Sequence, residues 1–70
     1  MADVPAHITG TVWKIEVKVG QSVSSGDVLV ILESMKMEMP VEATEAGTVK
    51  EIRCKEAQAV NEGDVLVVLG

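Results

Sequence analysis

The chain repeats itself on either side of a single lysine, and this duplication constrains the fold more than any other feature of the sequence. Residues 6–33 align without a gap on residues 43–70 at a constant offset of 37, and fourteen of the 28 aligned pairs are identical. The segment between the two copies, residues 34–42, contains Lys36. The sequence therefore predicts a duplicated scaffold that holds one unduplicated lysine outward.

Two glycine-containing motifs carry most of the identity between the copies. Gly10-Thr11-Val12 returns as Gly47-Thr48-Val49, and Gly26-Asp27-Val28-Leu29-Val30 returns as Gly63-Asp64-Val65-Leu66-Val67. An aspartate beside a glycine is typical of turns, where its side chain bonds to nearby backbone. Because both copies carry this aspartate, we interpret it as a turn residue and not as a catalytic group.

The length of the chain indicates one small domain, residues 1–70, which rarely has stability to spare without a covalent or metal staple. Cys54 is the only cysteine and His7 the only histidine. A disulfide within the chain is therefore excluded, and a metal site is not supported. Hydrophobic residues make up 47% of the chain, with Trp13 as its only aromatic residue. We expect an apolar core of small aliphatic side chains to supply the stability.

The charge and the hydropathy pattern exclude several classes of partner. The net charge is −5 and the pI about 4.6, so the surface repels phosphate backbones and nucleic-acid binding is not expected. The longest apolar runs, such as Val28 to Leu32, are too short to span a bilayer. No N-terminal segment combines positive charge with a long apolar stretch, so no signal peptide is expected. We predict a cytoplasmic protein without membrane contact.

Valine, isoleucine and closely spaced glycines favour an all-β fold. The predicted strands lie near residues 4–8, 11–17, 21–24, 28–33, 38–42, 47–54, 58–60 and 64–69. Alternation over residues 12–19 is typical of a half-buried strand. Its predicted apolar face consists of Trp13, Ile15, Val17 and Val19.

The repeat predicts how these strands are arranged. Each half would contribute four strands, and two halves related by a pseudo-two-fold axis could cover each other as a flattened barrel or sandwich. The counterpart of Lys36 under the repeat falls outside the chain. The chain ends are therefore expected to lie close together, at the pole opposite Lys36. A closed arrangement of this kind also predicts a monomer.

The connection around Lys36 breaks a local rule. Strands that end near Ser34 and restart near Glu38 leave a turn drawn from Met35-Lys36-Met37. Short hairpin turns need positive φ, which none of these residues suits. A broken rule at an exposed tip is where function is expected. A lysine amine with an ordinary pKa of about 10.4 is mostly protonated at neutral pH, so an external enzyme would have to activate it for acylation. We therefore predict an acceptor protein and not an enzyme.

The residues around this lysine identify a family. Met35-Lys36-Met37, preceded by Glu33-Ser34 and followed by Glu38-Met39-Pro40-Val41, resembles the attachment site of the biotin/lipoyl attachment domain of biotin-dependent carboxylases. The resemblance covers essentially the whole chain, including the repeated glycine motifs. It implies a barrel-sandwich hybrid of two four-stranded antiparallel sheets. It also implies that a biotin protein ligase links Lys36 to biotin, which carries carboxyl groups between a biotin carboxylase and a carboxyltransferase.

Four further residues flank the attachment lysine. The resemblance favours contact of Met35 and Met37 with the biotin ring or with a partner active site, a role that suits soft thioether side chains. Glu33 and Glu38 either serve ligase recognition or only keep the tip soluble, and the sequence does not decide between the two. One departure from the family concerns the residues that open each half. Many members have Ala-Pro there, whereas this chain has Ala6-His7 and Ala43-Thr44.

Two other functions remain open at this stage. A lipoyl domain resembles the same fold and also presents a hairpin lysine, which a lipoyl ligase would modify with lipoate. Its usual flanks are Asp before the lysine and Ala after it, whereas Lys36 lies between Met35 and Met37. Modification by both groups is the intermediate case. An unmodified interaction module is the third option, disfavoured because such barrels carry a long helical hairpin where this chain has a short connection.

Overall fold

A computed structural model describes residues 2–70 and shows an all-β protein. The eight strands are β1 (Ala2–Pro5), β2 (Gly10–Ile15), β3 (Ser22–Val23), β4 (Val28–Ser34), β5 (Met37–Glu42), β6 (Gly47–Ile52), β7 (Ala59–Val60) and β8 (Val65–Leu69). They form two antiparallel four-stranded sheets, ordered β1-β8-β6-β3 and β5-β4-β2-β7. The predicted fold class is confirmed.

The two halves interleave, and neither half forms a sheet alone. Each sheet takes two strands from the first half of the chain and two from the second. Exchange of β1 with β5, β2 with β6, β3 with β7 and β4 with β8 converts one sheet order into the other. The structural repeat thus extends to β1 and β5, which lie before the two copies visible in the sequence. Because of this interleaving, each half of the chain pairs with the other half within a sheet and also packs against it across the core.

The backbone bonds between the halves follow the same symmetry. The Ala6 N–H donates to the Asp64 carbonyl at 2.8 Å, and the Ala43 N–H donates to the Asp27 carbonyl at 2.8 Å. The aspartate side chains close the turns. Asp27 accepts the Ser24 N–H at 2.8 Å, and Asp64 accepts the Asn61 N–H at 2.9 Å. The interpretation of both aspartates as turn residues is confirmed.

The core lies between the sheets and consists of aliphatic side chains from both halves. Leu29 and Leu32 are fully buried, as are their equivalents Leu66 and Leu69. Cys54 is buried at the position equivalent to Val17, as a small hydrophobic residue would be. No buried polar or charged side chain occurs within residues 2–70. Stability therefore rests on apolar packing, as the composition predicts.

The predicted buried face over residues 12–19 is wrong for Trp13 and Val19, whereas Ile15 packs against the core as predicted. Val12 is fully buried, whereas Trp13 is 47% exposed. Val12 pairs with Leu32 and Lys14 with Ile31, so Trp13 is the extra residue of a β-bulge. A bulge shifts the alternation of side chains by one position. Val17 is buried as expected, but it lies beyond the end of β2, and Val19 is also exposed.

Several strand boundaries also differ from the prediction. The first strand occupies residues 2–5 instead of 4–8, so His7 is exposed in a connection and not in a strand. The predicted strand 47–54 ends at Ile52, two residues early. In both halves the strand ends at the same point, after Ile15 and Ile52. The next residue keeps one equivalent backbone bond, from the Glu16 N–H to the Leu29 carbonyl and from the Arg53 N–H to the Leu66 carbonyl.

The region of the chain ends is the symmetry equivalent of the Lys36 hairpin. Ala2 lies opposite Leu69, and the equivalent pair in the other sheet is Met39 opposite Leu32. Within residues 2–70, the two ends therefore lie close together, as the repeat predicts. None of the described residues forms a helix with the length and hydropathy needed to cross a bilayer.

Candidate functional site

The Lys36 hairpin is a direct consequence of the register between β4 and β5. Ser34 lies opposite Met37, which leaves Met35 and Lys36 as the two central residues of the turn. Both have positive φ, 52° for Met35 and 63° for Lys36. Positive φ at both central residues is the pattern of a type I′ turn, which matches the twist of the flanking strands.

This turn is energetically unfavourable for the residues that form it. A left-handed conformation costs about 1–2 kcal/mol for a residue with a Cβ atom. Asn and Gly are the usual residues at such positions, yet the chain places methionine and lysine there. The surrounding strand pairing must compensate for the cost. The sequence-based expectation of an unsuited turn is confirmed.

The side chains of the turn point into solvent. Met35 is 92% exposed, Met37 is 58% exposed, and Lys36 is exposed as well. The ion pairs among residues 2–70 join Lys14 to Glu16 and Arg53 to Glu51, and Lys36 takes part in neither. The amine is therefore accessible and not engaged by a carboxylate of its own chain. It can accept an acyl group from an external enzyme.

Two carboxylates lie directly behind the turn. Glu33 and Glu38 face each other across β4 and β5, one residue pair away from the pair Ser34 and Met37. Both are exposed, and neither belongs to the ion pairs found in the described chain. Like charges placed directly opposite each other on antiparallel strands are destabilising. The two carboxylates thus give the hairpin a negative charge directly behind its turn, which the ion pairs of the described chain do not neutralise.

Strand β2 supports the base of the hairpin through a very close backbone contact. A Cβ atom on Gly10 would lie 2.6 Å from the Glu33 carbonyl oxygen. Only glycine allows the two backbones to approach so closely. Thr11, the next residue, lies opposite Glu33 in the β2–β4 ladder. The repetition of Gly10 as Gly47 marks both glycines in the sequence, but the contact with Glu33 appears only in the structure.

Anchoring on the core side comes from β5. Met39 is half-buried and lies opposite the fully buried Leu32. Further along β5, the buried Val41 belongs to the core, so apolar packing fixes the hairpin below its tip, while Met35 and Lys36 at the tip are exposed. An exposed lysine on a hairpin that is joined to the core favours presentation to another protein.

The remaining polar chemistry of the chain lies elsewhere. The hydrogen bond and charge of Glu51 raise the pKa of Arg53, and burial raises the pKa of the Cys54 thiol. These residues belong to β6 and the connection after it, in the sheet that does not contain the hairpin. No group of three or more metal-ligating side chains occurs within residues 2–70.

Comparison with known families gives one match that spans nearly the whole chain. Residues 1–69 match the biotin/lipoyl family model, which carries the description "Biotin-requiring enzyme". The match includes both halves of the repeat and the hairpin between them.

Curated proteins of similar sequence include small biotinylated proteins. Over 41 residues the chain is 54% identical to a biotinylated protein TB7.3 homolog of Mycobacterium leprae, which covers 59% of this chain and 58% of that protein. Over 40 residues it is 48% identical to the biotin/lipoyl attachment protein of Bacillus subtilis, which covers 57% of this chain and 55% of that protein. The aligned segment spans a little more than half the length of these relatives.

Solved structures of similar fold are parts of much longer chains. The urea carboxylase of Kluyveromyces lactis superposes with a TM-score of 0.94 at 38% identity, over 99% of this chain and 6% of that chain. A single-chain, multi-domain long-chain acyl-CoA carboxylase superposes with a TM-score of 0.88 at 30% identity, over 94% of this chain and 7% of that chain. The same eight-stranded architecture therefore occurs within large carboxylases.

Proposed function

Because this chain belongs to the biotin/lipoyl attachment family, we propose that it is a biotin carboxyl carrier with Lys36 as the residue that takes biotin in amide linkage. The family match confirms the resemblance that the Met-Lys-Met motif indicated. The observation that carries the proposal is the exposed, positive-φ turn that presents Lys36 without an ion-pair partner in the described chain.

The geometry of the turn fits a covalently attached group. An acyl chain on Lys36 would extend into solvent from a two-residue turn whose neighbours, Met35 and Met37, are also exposed. In the attachment step the Lys36 amine loses a proton to the ligase and forms an amide bond with the activated carboxyl carbon. The bond from that carbon to its activating group breaks. Lys36 has no ion-pair partner among residues 2–70, so the ligase would provide the base for this step.

Bound biotin would supply a ureido nitrogen that accepts a carboxyl group and gives it up again. The chain's own contribution is positional. The rigid β4–β5 base limits the directions in which Lys36 can swing, which raises the effective concentration of the attached group at each active site. Met35 and Met37 would contact the ring or the walls of those sites, because thioether side chains adapt to different surfaces.

The partners follow from this role. A biotin protein ligase would load Lys36, with Glu33 and Glu38 as charged recognition elements. A biotin carboxylase and a carboxyltransferase would then be visited in turn, each through weak binding, since a carrier that dissociates slowly cannot shuttle. We place residues 1–70 as one carrier domain that acts as a cytoplasmic monomer and has no catalytic activity of its own.

One observation favours a second candidate, the lipoyl carrier or a dual acceptor. A relative at 48% identity is named a biotin/lipoyl attachment protein, and a positive-φ hairpin lysine would serve either group. The flanks distinguish them, because this chain has methionine where lipoyl domains that it resembles have aspartate before the lysine. If ligases read this flank, Met35→Asp should shift acceptance from biotin toward lipoate.

Reconstitution tests the proposal directly. The unmodified chain is incubated with a biotin protein ligase, ATP and biotin, and mass spectrometry counts the biotin groups per chain. One group on the wild type and none on Lys36→Arg is the expected result, because the guanidinium of arginine keeps the charge but is not acylated. The four other lysines remain in both proteins as internal controls. A wild-type chain that accepts no label would refute the biotin carrier function and leave the lipoyl carrier and the unmodified interaction module.

A further inference from the structure

The outer surface of the hairpin sheet carries an apolar group that the core does not use. Ile31 lies opposite Pro40 on β5 and opposite Lys14 on β2, and Trp13 is the bulge residue next to Lys14. Trp13 is 47% exposed, Pro40 is exposed and Ile31 is half-buried. We call the group formed by Trp13, Ile31 and Pro40 the indole face. It contains the only aromatic side chain of the protein.

The internal repeat shows that the fold does not require this face. On the other sheet the equivalent positions are occupied by Lys50, Val68 and Asp3. Lys50 is the extra residue of the same bulge, between the pairs Val49–Leu69 and Glu51–Val68. The bulge therefore forms with a charged residue as well as with tryptophan. Trp13 must be explained by something other than the architecture.

The indole face lies beside the two carboxylates of the hairpin, Glu33 and Glu38. Ile31 and Glu33 are two residues apart on β4, as Pro40 and Glu38 are on β5, so both pairs share one side of the sheet. The surface thus runs from the apolar group, through two carboxylates, to the turn.

The composition of this surface is suited to recognition. Exposed aromatic side chains are enriched among residues that dominate binding energy. Glu33 and Glu38 repel each other unless a cationic group is brought between them or next to them. A partner that fits both features has an apolar pocket for the indole with lysine or arginine at its border.

The enzyme that must rely on such a surface is the one that modifies Lys36. It meets a chain that carries no attached group, and it has to choose Lys36 over four other lysines (Lys14, Lys18, Lys50 and Lys55). We propose that the indole face is the docking surface of the biotin ligase and that Trp13 is its main contact. This inference rests on the proposed function, because it assumes that Lys36 is biotinylated.

The repeat supplies the variants for the test. Trp13→Lys places the residue of the second half into the bulge of the first, and Lys50→Trp does the reverse. The double variant moves the indole to the other sheet with unchanged composition and net charge. Initial rates of biotinylation are measured against the concentration of the unmodified chain. We expect KM to rise about tenfold for Trp13→Lys and for the double variant, with kcat unchanged. Lys50→Trp alone should stay within about twofold of the wild type.

Two controls separate folding and charge from docking. Thermal unfolding should be similar for all three variants, since both residue types occur at this bulge in the native chain. Trp13→Ala removes the indole without adding a positive charge beside Glu33, and it should also raise KM. If KM stays within about twofold for both Trp13 variants while the wild type is biotinylated normally, the inference is overturned and the proposed function stands. Unchanged ligation with impaired use of the loaded chain by a carboxylase would overturn it too, by assigning the face to that enzyme.

Discussion

Gly10 packs against the backbone of Glu33 so closely that a Cβ atom on Gly10 would lie 2.6 Å from the Glu33 carbonyl oxygen. This contact joins β2 to the last residues of β4 before the Lys36 turn. The equivalent contact in the second half is looser, with 3.2 Å from a Cβ atom on Gly47 to the Gly70 carbonyl oxygen. The tighter approach occurs in the half that has to support the hairpin.

Gly10→Ala should therefore be more destabilising than Gly47→Ala. The added methyl group meets backbone and cannot be relieved by a rotamer change, and a misfit of this kind typically costs about 1–3 kcal/mol. Urea unfolding followed by circular dichroism measures the difference. If both variants lost the same free energy of unfolding, β2 could move away from β4 near the Lys36 hairpin without loss of stability, and the prediction would be wrong.

The turn itself predicts a conflict between stability and function. Met35→Asn replaces a residue unsuited to positive φ with one that is favoured in type I′ turns. The free energy of unfolding should rise by about 1 kcal/mol, since a left-handed conformation costs other residues about that much. Biotinylation should become slower, because the ligase loses the Met35 side chain.

The matched control is Met37→Asn, which lies in β5 and outside the two central turn positions. It should not stabilise the protein, because asparagine is depleted in strands. A Met35→Asn protein with unchanged stability would contradict the account of the strained turn.

Ala57 carries a similar conformational cost away from the site. Its φ is 70°, and the equivalent residue in the first half is Gly20 with φ of 94°. Nothing lies within 4 Å of a Cβ atom built on Gly20, so only the backbone conformation decides whether glycine or alanine is more stable at this position. Ala57→Gly should raise the free energy of unfolding by about 1 kcal/mol, and Gly20→Ala should lower it by a similar amount. Chemical denaturation of both variants tests this, and opposite signs are required.

The buried thiol predicts a pH dependence of stability. Burial raises the pKa of Cys54, so the folded protein holds the thiol proton more tightly than the unfolded chain does. The resulting stabilisation is complete below the unfolded pKa of about 8.5 and is lost as pH rises through the folded pKa. Cys54→Val, which copies the equivalent Val17, should remove this part of the alkaline destabilisation.

The measurement is the free energy of unfolding of both proteins from neutral pH to well above the unfolded thiol pKa of about 8.5. The wild type should lose stability relative to Cys54→Val above that pKa. Parallel curves would contradict the raised pKa of the buried thiol.

The sequence was sufficient to predict the hairpin and the core. Leu29 and Leu66 recur in identical motifs, and both are fully buried. The short distance between two strand patterns predicts a turn within Met35-Lys36-Met37, and the register of β4 and β5 limits it to Met35 and Lys36. These features depend on local pattern and on the repeat, which a single sequence displays directly.

The features that could not be predicted depend on contacts between distant segments. Alternation alone placed Trp13 on the buried face, because a bulge leaves no clear mark in a run of alternating residues. The charged Lys50 at the equivalent position was a signal that this face meets solvent. The interleaving of the halves was also hidden, since stacked and interleaved arrangements bury the same residues. The role of Gly10 becomes visible only when β2 and β4 are aligned.

The most direct test of the carrier function is the intact mass of the protein purified from its own cells, with peptide mapping around Lys36. We expect a biotinyl mass increment on Lys36 and on no other lysine, and its loss in Lys36→Arg. A lipoyl increment would move the function to acyl or aminomethyl transfer. An unmodified mass after growth with ample biotin and lipoate, or biotin on another lysine, would contradict the assignment of Lys36 as the attachment site.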